Sequence, residues 1–314
     1  MAHARPGHGK GGGSNMAAWN GVGLMALALL LAGPAQAQPA RPAQPPAQPP
    51  AASAGSRPAA PPAASLAAPG RPGWVVDPAN GCWLWNPDPQ PGETGSWSGP
   101  CPGGPASGEG TKQWRYREAG QPRMAVYVGT QANGRADGRG SLTWPSGNRY
   151  EGEWRDGRQH GQGIYTWANG DRFEGTYVDG RWSGQGVYAR QDGVRFEGSF
   201  RDGKAEGQGV RIWLDGSRYE GTLQDWVPQG QGSITYADGS RYEGQWQNGQ
   251  AQGHGVKTWP NGDRYEGAWR EDRPDGEGTY ETMLTGSFSG TWRQGCFRDR
   301  GRVAALNRPA AECR

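Results

Sequence analysis

Polar and apolar positions alternate along most of this chain, and the alternation itself repeats. The stretch from Tyr150 to Arg172 reads YEGEWRDGRQHGQGIYTWANGDR, and its pattern returns in register: an aromatic residue followed two places later by glycine starts at Tyr127, Tyr150, Phe173, Phe196, Tyr219, Tyr242, Tyr265 and Phe288, always 23 residues apart. A fixed period of this length marks a repeat array, in which each unit is one supersecondary element that buries its apolar face only against its neighbours. Any function then belongs to a surface that the repeat builds.

Inside one unit the period is two, the period of a strand. Tyr150, Gly152 and Trp154 share one face of a first strand, and Gly161, Gly163, Tyr165 and Trp167 share one face of a second. The same positions are Tyr242, Gly244 and Trp246, Tyr265, Gly267 and Trp269, and Gly253, Gly255, Lys257 and Trp259 further along. Turn dipeptides separate the strands: Asp156 with Gly157, Asp179 with Gly180, Asp202 with Gly203 and Asn248 with Gly249 at one place, Asn169 with Gly170 and Asn261 with Gly262 at the other. Both kinds are read as tight hairpin turns with positive φ. Short connections force antiparallel neighbours, so the fold is all-β: an elongated, single-layer antiparallel β-meander of two-strand units with no helical layer. A ring on one strand can lie over the bare backbone of a glycine on the next, which makes the repeated GxG packing space, not a phosphate cradle.

The opposite face carries Glu151, Glu174, Glu197, Glu220, Glu243 and Glu266 beside Arg149, Arg172, Arg195, Arg218, Arg241 and Arg264. These read as solvent-facing cross-strand pairs, each worth well under ~1 kcal/mol. Departures fall at Leu223, where a second aromatic belongs, at Trp226 and Asp272 in turn-glycine places, and at Arg190 in a tryptophan place. Trp226 is read as an exposed ring that could anchor a partner or cover a turn.

Composition supports a thin structure held by rings. The chain has 56 glycines, 26 prolines, 16 tryptophans and 11 tyrosines, with 33% hydrophobic residues in total. From Tyr127 to Phe297 there are 19 Lys plus Arg against 23 Asp plus Glu, so the array is slightly acidic and lacks the basic face of a nucleic-acid binder.

The flanks differ from the array. Residues 1–37 have the layout of an export signal: Arg5 and Lys10, an apolar run from Val22 to Ala32, and Ala35-Gln36-Ala37 as a cleavage site, with Met16 as a second candidate start. The apolar run is short for a membrane-spanning helix, and an uncleaved anchor is the alternative. Residues 38–73, rich in Pro, Ala and Gln, read as a disordered linker. Residues 74–126 form an N-terminal cap and divergent first unit: Trp97, Gly99, Cys101, Gly104, Gly108, Gly110 and Trp114 keep the offsets of later units, with an insertion around Arg115 to Arg123. The array proper spans 127–292, and 293–314 is a C-terminal cap in which Val303 to Leu306 could form a short helix over the last strand.

Cys82, Cys101, Cys296 and Cys313 imply disulfides in an exported chain. Three pairings are possible. In a linear array the two ends lie far apart, which leaves Cys82 with Cys101 and Cys296 with Cys313. No CxxC pair occurs, and the histidines do not accompany the cysteines, so no metal site is expected.

The pattern Y-E-G-x-W-x-x-G-x-x-x-G-x-G-x-x-x-W-x-x-G-x-R resembles the MORN (membrane occupation and recognition nexus) repeat, over roughly Trp97 to Phe297. The lead-in GCWLWNPDPQPGETGSWSGPC resembles the openings of bacterial exported members. The resemblance implies elongated β-ribbons that serve as scaffolds or dimerisation elements and, in several members, bind phospholipid head groups.

Catalytic motifs are thin. GSFRDGKA, from Gly198 to Ala205, stops short of a phosphate-binding loop and opens no helix, and GSWSG and GSFSG have Trp97 and Phe288 where a nucleophile would stand. A hydrolytic enzyme is a remote reading, and no cofactor is called for. The leading expectation is an exported, non-catalytic scaffold that binds a protein or itself. Membrane-lipid head groups or an envelope glycan are the alternative partners. The candidate surface comprises Trp226, Tyr150, Trp154, Trp167, Tyr242, Trp246, Trp259, Tyr265 and Trp269, with Arg298, Arg300 and Arg302 on the basic flank.

Overall fold

The computed structural model describes residues 61–63 and 66–313. The export signal and most of the linker lie outside the described residues. The last part of that linker, from Leu66, turns back along the first strand: the Ala67 amide donates to the Trp74 carbonyl at 2.9 Å, and Ala68 and Arg71 exchange backbone hydrogen bonds.

A two-stranded antiparallel sheet, β1 (Gly73–Val76) and β2 (Trp83–Asn86), precedes the array. Then come β3 (Thr94–Trp97), β4 (Gly108–Glu118), β5 (Gln121–Ala132) and a regular series from β6 (Arg135–Thr143) to β19 (Gly286–Arg293), closed by β20 (Cys296–Asp299) and β21 (Arg302–Ala305). From β3 to β21 the strands form one antiparallel meander in which every strand pairs with the next in sequence. The insertion in the divergent first unit lengthens the β4–β5 hairpin, which turns at Ala119 and Gly120, both with positive φ.

Rings on glycines make the core. Tyr150 lies on Gly163 so closely that a Cβ there would come within 2.3 Å of its hydroxyl oxygen; Tyr127 covers Gly140, Phe173 covers Gly186 and Tyr242 covers Gly255 in the same way. Trp97 covers Gly110, which makes residues 97–126 a unit of the same design. The rings also meet one another across units: Tyr127 packs edge-on to Trp154 at 5.6 Å, Tyr150 to Tyr177 at 5.1 Å, Tyr219 to Trp246 at 5.4 Å and Tyr242 to Trp269 at 5.1 Å. Trp154, Trp246, Trp269 and Trp292 each donate their indole N–H to the carbonyl of a glycine 14 residues earlier.

The two turns of a unit differ in kind. Asp156 and Gly157 both have positive φ, as do Asp179 with Gly180 and Asn248 with Gly249, which is the two-residue hairpin turn expected. At the other place only the glycine has positive φ. There the Gly170 amide donates to the Trp167 carbonyl, and Trp167 donates to Asp171, so Asn169 sits in an ordinary turn ahead of a left-handed glycine. This wider loop, built on a type I turn, corrects the expectation of two identical tight turns.

A hydrogen bond then ties each unit to the one before. The second turn residue donates its amide to a carbonyl 21 residues earlier: Gly157 to Ala136, Gly180 to Gln159, Gly203 to Trp182, Gly249 to Pro228 and Gly295 to Pro274. Trp226 and Asp272 make the same bond, to Ala205 and Ala251, with φ of 70° and 65°. The bond needs a left-handed residue at that place and holds the bulkier side chains there as well.

Both ends are capped. The Gly134 amide donates to Ala106 and the Trp85 amide to Gly134, which ties β2 to the turn between β5 and β6; at the other end the Leu306 amide donates to Gly295. Val303 lies on β21, not on a helix; the one short helix of this cap is a 3-10 turn from Ala310 to Cys313. Pairing with β20 satisfies the backbone that a helix would have left open. Cys82 is bonded to Cys101 and Cys296 to Cys313, each tying a cap to itself.

Candidate functional site

The face occupied by the rings is also the one with the larger unpaired chemistry. Position by position, the residue opposite each leading ring is Lys112, Leu142, Tyr165, Tyr188, Arg211, Ile234, Lys257 and Tyr280. Two places on stand Trp114, Trp144, Trp167, Trp213, Tyr236 and Trp259. Most of these side chains are half-buried, so the deep rings form a floor and this second row forms a partly wetted surface above it.

Three of the positions in the row are cationic, and none of the three forms an ion pair among the described residues. Arg211 stacks 4.8 Å from the centre of Trp213 and donates to the Trp226 carbonyl at 2.8 Å. Lys257 sits 5.2 Å from both Tyr236 and Trp259. Burial lowers the pKa of Arg211 and of Lys257, against which Asp238 and Asp272 act on the lysine. Lys112, over Trp114 and Tyr127, is pushed down to about 8 by burial. Cations over ring faces gain ~0.5–2 kcal/mol each, and they keep their charge available to an incoming anion.

A cleft of about 400 Å³ opens in this surface between Trp167, Trp182, Tyr188, Arg190, Arg211 and Trp226. A second cleft, of about 460 Å³, lies on the opposite face, over the backs of Gly129, Gly140, Gly152 and Gly163, with Glu151, Glu153 and Glu174 on its rim.

The candidate residues separate sharply by depth. Tyr150, Trp154, Tyr242, Trp246, Tyr265 and Trp269 are core, between 0 and 7% exposed, and cannot be a contact surface. Alternation placed them on one face correctly, but in a one-layer sheet that face is the packed one. Trp167 and Trp259 are half-buried in the second row. Trp226 is not free either: its ring lies 5.5 Å from Phe196, 5.8 Å from Phe200 and 5.9 Å from Tyr188. It fills the space left where Leu223 replaces the ring that Phe196 would otherwise meet. Arg298, Arg300 and Arg302 are exposed, but Arg298 donates to the Cys313 carbonyl and Arg302 lies over Phe288.

On the other face, Arg149 pairs with Glu151 at 2.7 Å, Arg172 with Glu174 at 2.8 Å and Arg241 with Glu243 at 2.9 Å. The partners are two residues apart on one strand, not across strands, because strand period brings i and i+2 side by side. Sequence reasoning also missed a second tie between units. Asn148, Asp171 and Asp263 accept, through a side-chain oxygen, the amide of the loop residue 20 places on, in Ala168, Gln191 and Met283. The small polar residue after the turn glycine, present in every unit except at Val194, was the signal for it.

Among the described residues no group of His, Cys, Asp and Glu could hold a metal ion, and no helix is long and apolar enough to cross a membrane. The stretch from Gly198 to Ala205 is the end of one strand, the turn at Asp202 and Gly203 and the start of the next strand, an ordinary hairpin of the array.

Comparison with known families matches the MORN repeat at 127–149, 150–172, 173–195, 196–218, 219–241, 242–264 and 265–282, unit for unit with the strand pairs described above. This chain is a MORN-repeat protein. Among curated proteins none matches its sequence. Of solved structures, a point mutant of the TCP10 domain of Danio rerio CPAP is similar to this MORN-repeat chain at 13% identity, spanning 57% of this chain and 94% of that one with a TM-score of 0.29.

Proposed function

We propose that this MORN-repeat chain is an exported, non-catalytic binding platform, and that its ring face takes a protein segment carrying carboxylates beside apolar side chains. The observation that carries the reading is the second row: half-buried rings interrupted by Arg211 and Lys257, cations without an ion pair on a face whose array is acidic in total. A segment with carboxylates spaced along a strand could reach both cations while its apolar side chains cover Trp213, Tyr236 and Trp259. Two disulfides, each tying a cap, favour an oxidising compartment, in keeping with the export-like N-terminus.

The test uses immobilised peptides that alternate Glu with Leu or Phe, their Gln counterparts, phosphatidylglycerol vesicles and peptidoglycan. Retention of the Glu peptides, loss with the Gln peptides and loss in the double variant Arg211→Gln, Lys257→Gln supports the reading, with Arg195→Gln on the opposite face as control. Retention by vesicles or glycan alone, with the peptides washing through, sinks it and favours a lipid or envelope partner.

A further inference from the structure

Lys112 is the one cation of the ring row that lies outside the matched repeats, and its surroundings differ from those of Arg211 and Lys257. It is 8% exposed. Its ammonium has no hydrogen-bond or ion-pair partner among the described residues; it lies 5.5 Å from the centre of Trp114 and 5.7 Å from that of Tyr127. An ammonium on a largely buried side chain with no hydrogen-bonding partner is costly to hold there. The same register position holds Leu142, Tyr165, Tyr188, Ile234 and Tyr280 in other units, so the fold accepts hydrocarbon there and does not require a charge.

Lys112 faces a cleft of about 600 Å³ between the β1–β2 cap and the first strands of the meander. That volume suits a small organic ligand. Trp85, Trp114, Leu142 and Trp144 supply apolar walls. The other charged groups of the lining are accounted for or peripheral. Arg135 stacks 4.6 Å from Trp85 and donates to Asp156 at 2.6 Å. Glu93 accepts from Asn86 at 2.6 Å and from the Gln90 amide at 2.9 Å. Asp88 and Arg158 lie on the exposed rim. One ammonium is therefore left facing a ring-lined space.

The geometry points to a ligand site for a small monocarboxylate with a ring or compact apolar body, its carboxylate on Lys112 and its body between Trp85, Trp114 and Trp144. A single point charge matches a single carboxylate, and the acid groups of Glu93 and Asp88 on the same cleft oppose a dianion such as phosphate. The site is independent of the protein partner proposed above, because it uses neither Arg211 nor Lys257.

The experiment is titration calorimetry on the full chain, disulfides intact, at neutral pH, with 3-phenylpropionate, its neutral amide, acetate and inorganic phosphate as probes. The expected result is saturable one-to-one binding of 3-phenylpropionate, at least tenfold weaker binding of the amide and of acetate, and no binding of phosphate. Lys112→Met should lose binding at least tenfold while melting no lower than the parent, Lys112→Arg should retain part of it, and Lys257→Met should bind as the parent does. Equal binding of acid and amide, or of acetate and 3-phenylpropionate, overturns the proposal. So does unchanged binding in Lys112→Met, tighter binding of phosphate, or no saturable binding of any probe up to about 10 mM.

Discussion

At the scale of single residues, the contact of a buried ring with a bare glycine sets a strict rule. Gly163 has no room for a methyl group under Tyr150, whose ring is fully buried and cannot yield. Gly163→Ala should therefore cost roughly 1–3 kcal/mol by overpacking, read as a lower urea midpoint. Tyr150→Phe should cost less, about 0.5–1.5 kcal/mol, because it removes only the hydroxyl that donates to the Glu153 carbonyl at 2.9 Å. Phe173 and Phe196 already fill that place without the bond.

The same tyrosines make stability depend on alkaline pH. Burial pushes Tyr219 up to about 12 and Tyr127, Tyr150, Tyr242 and Tyr265 higher still. An unfolded tyrosine loses its proton near ~10, so above that pH the folded state binds more protons than the unfolded one. Stability present below about pH 10 is lost as pH rises through about 12 and beyond, and urea midpoints across that range should fall steadily. Lys112 acts in the opposite sense. Its folded pKa is lowered to about 8, so the unfolded chain binds the extra proton between about 8 and the ordinary lysine value, and stability from this group rises with pH there. Lys112→Met should accordingly raise stability at neutral pH by roughly 1–3 kcal/mol.

At the scale of the element, the hairpin pair is the unit, and most of it was legible. Period two inside a 23-residue frame fixes strands, partners and the ring-on-glycine contact. What alternation does not say is how deep a face lies, because a one-layer sheet has its rings on one side whether they are floor or surface. Hence Tyr150 and Trp269 could be assigned a face but not a depth, and Trp226 looked free. Trp226 belongs to a compensation between two neighbouring units: Phe196 lacks its usual neighbour at Leu223, and the indole from the turn that follows Leu223 takes the space. Trp226→Gly tests the balance. It relieves a left-handed backbone worth about 1–3 kcal/mol but removes a packed indole worth about 3–5 kcal/mol, so a net fall in melting temperature is expected. The C-terminal cap was misread for a different reason: Val303 to Leu306 has no strong strand pattern of its own and becomes β21 only because β20 offers a partner edge. Loss of the Cys296–Cys313 bond by a double serine substitution should cost about 2–4 kcal/mol, seen as early melting of that end.

At the scale of the whole array, stability is close to one-dimensional, since each unit touches little beyond its neighbours. Hydrogen exchange should show it: amides in the units from Phe196 to Arg264 protected longest, those of β21 shortest. The amide-to-carbonyl bond that reaches back 21 residues gives this arrangement a further property. It refers only to the preceding hairpin, never to an absolute place in the chain, so a second copy of 242–264 inserted after Arg264 would find every donor and acceptor waiting, while half a copy would leave a ring facing a side chain instead of a bare backbone. Length is thus a quantity that tandem duplication can adjust in whole steps, and the reach of the molecule can evolve without a single side chain being redesigned.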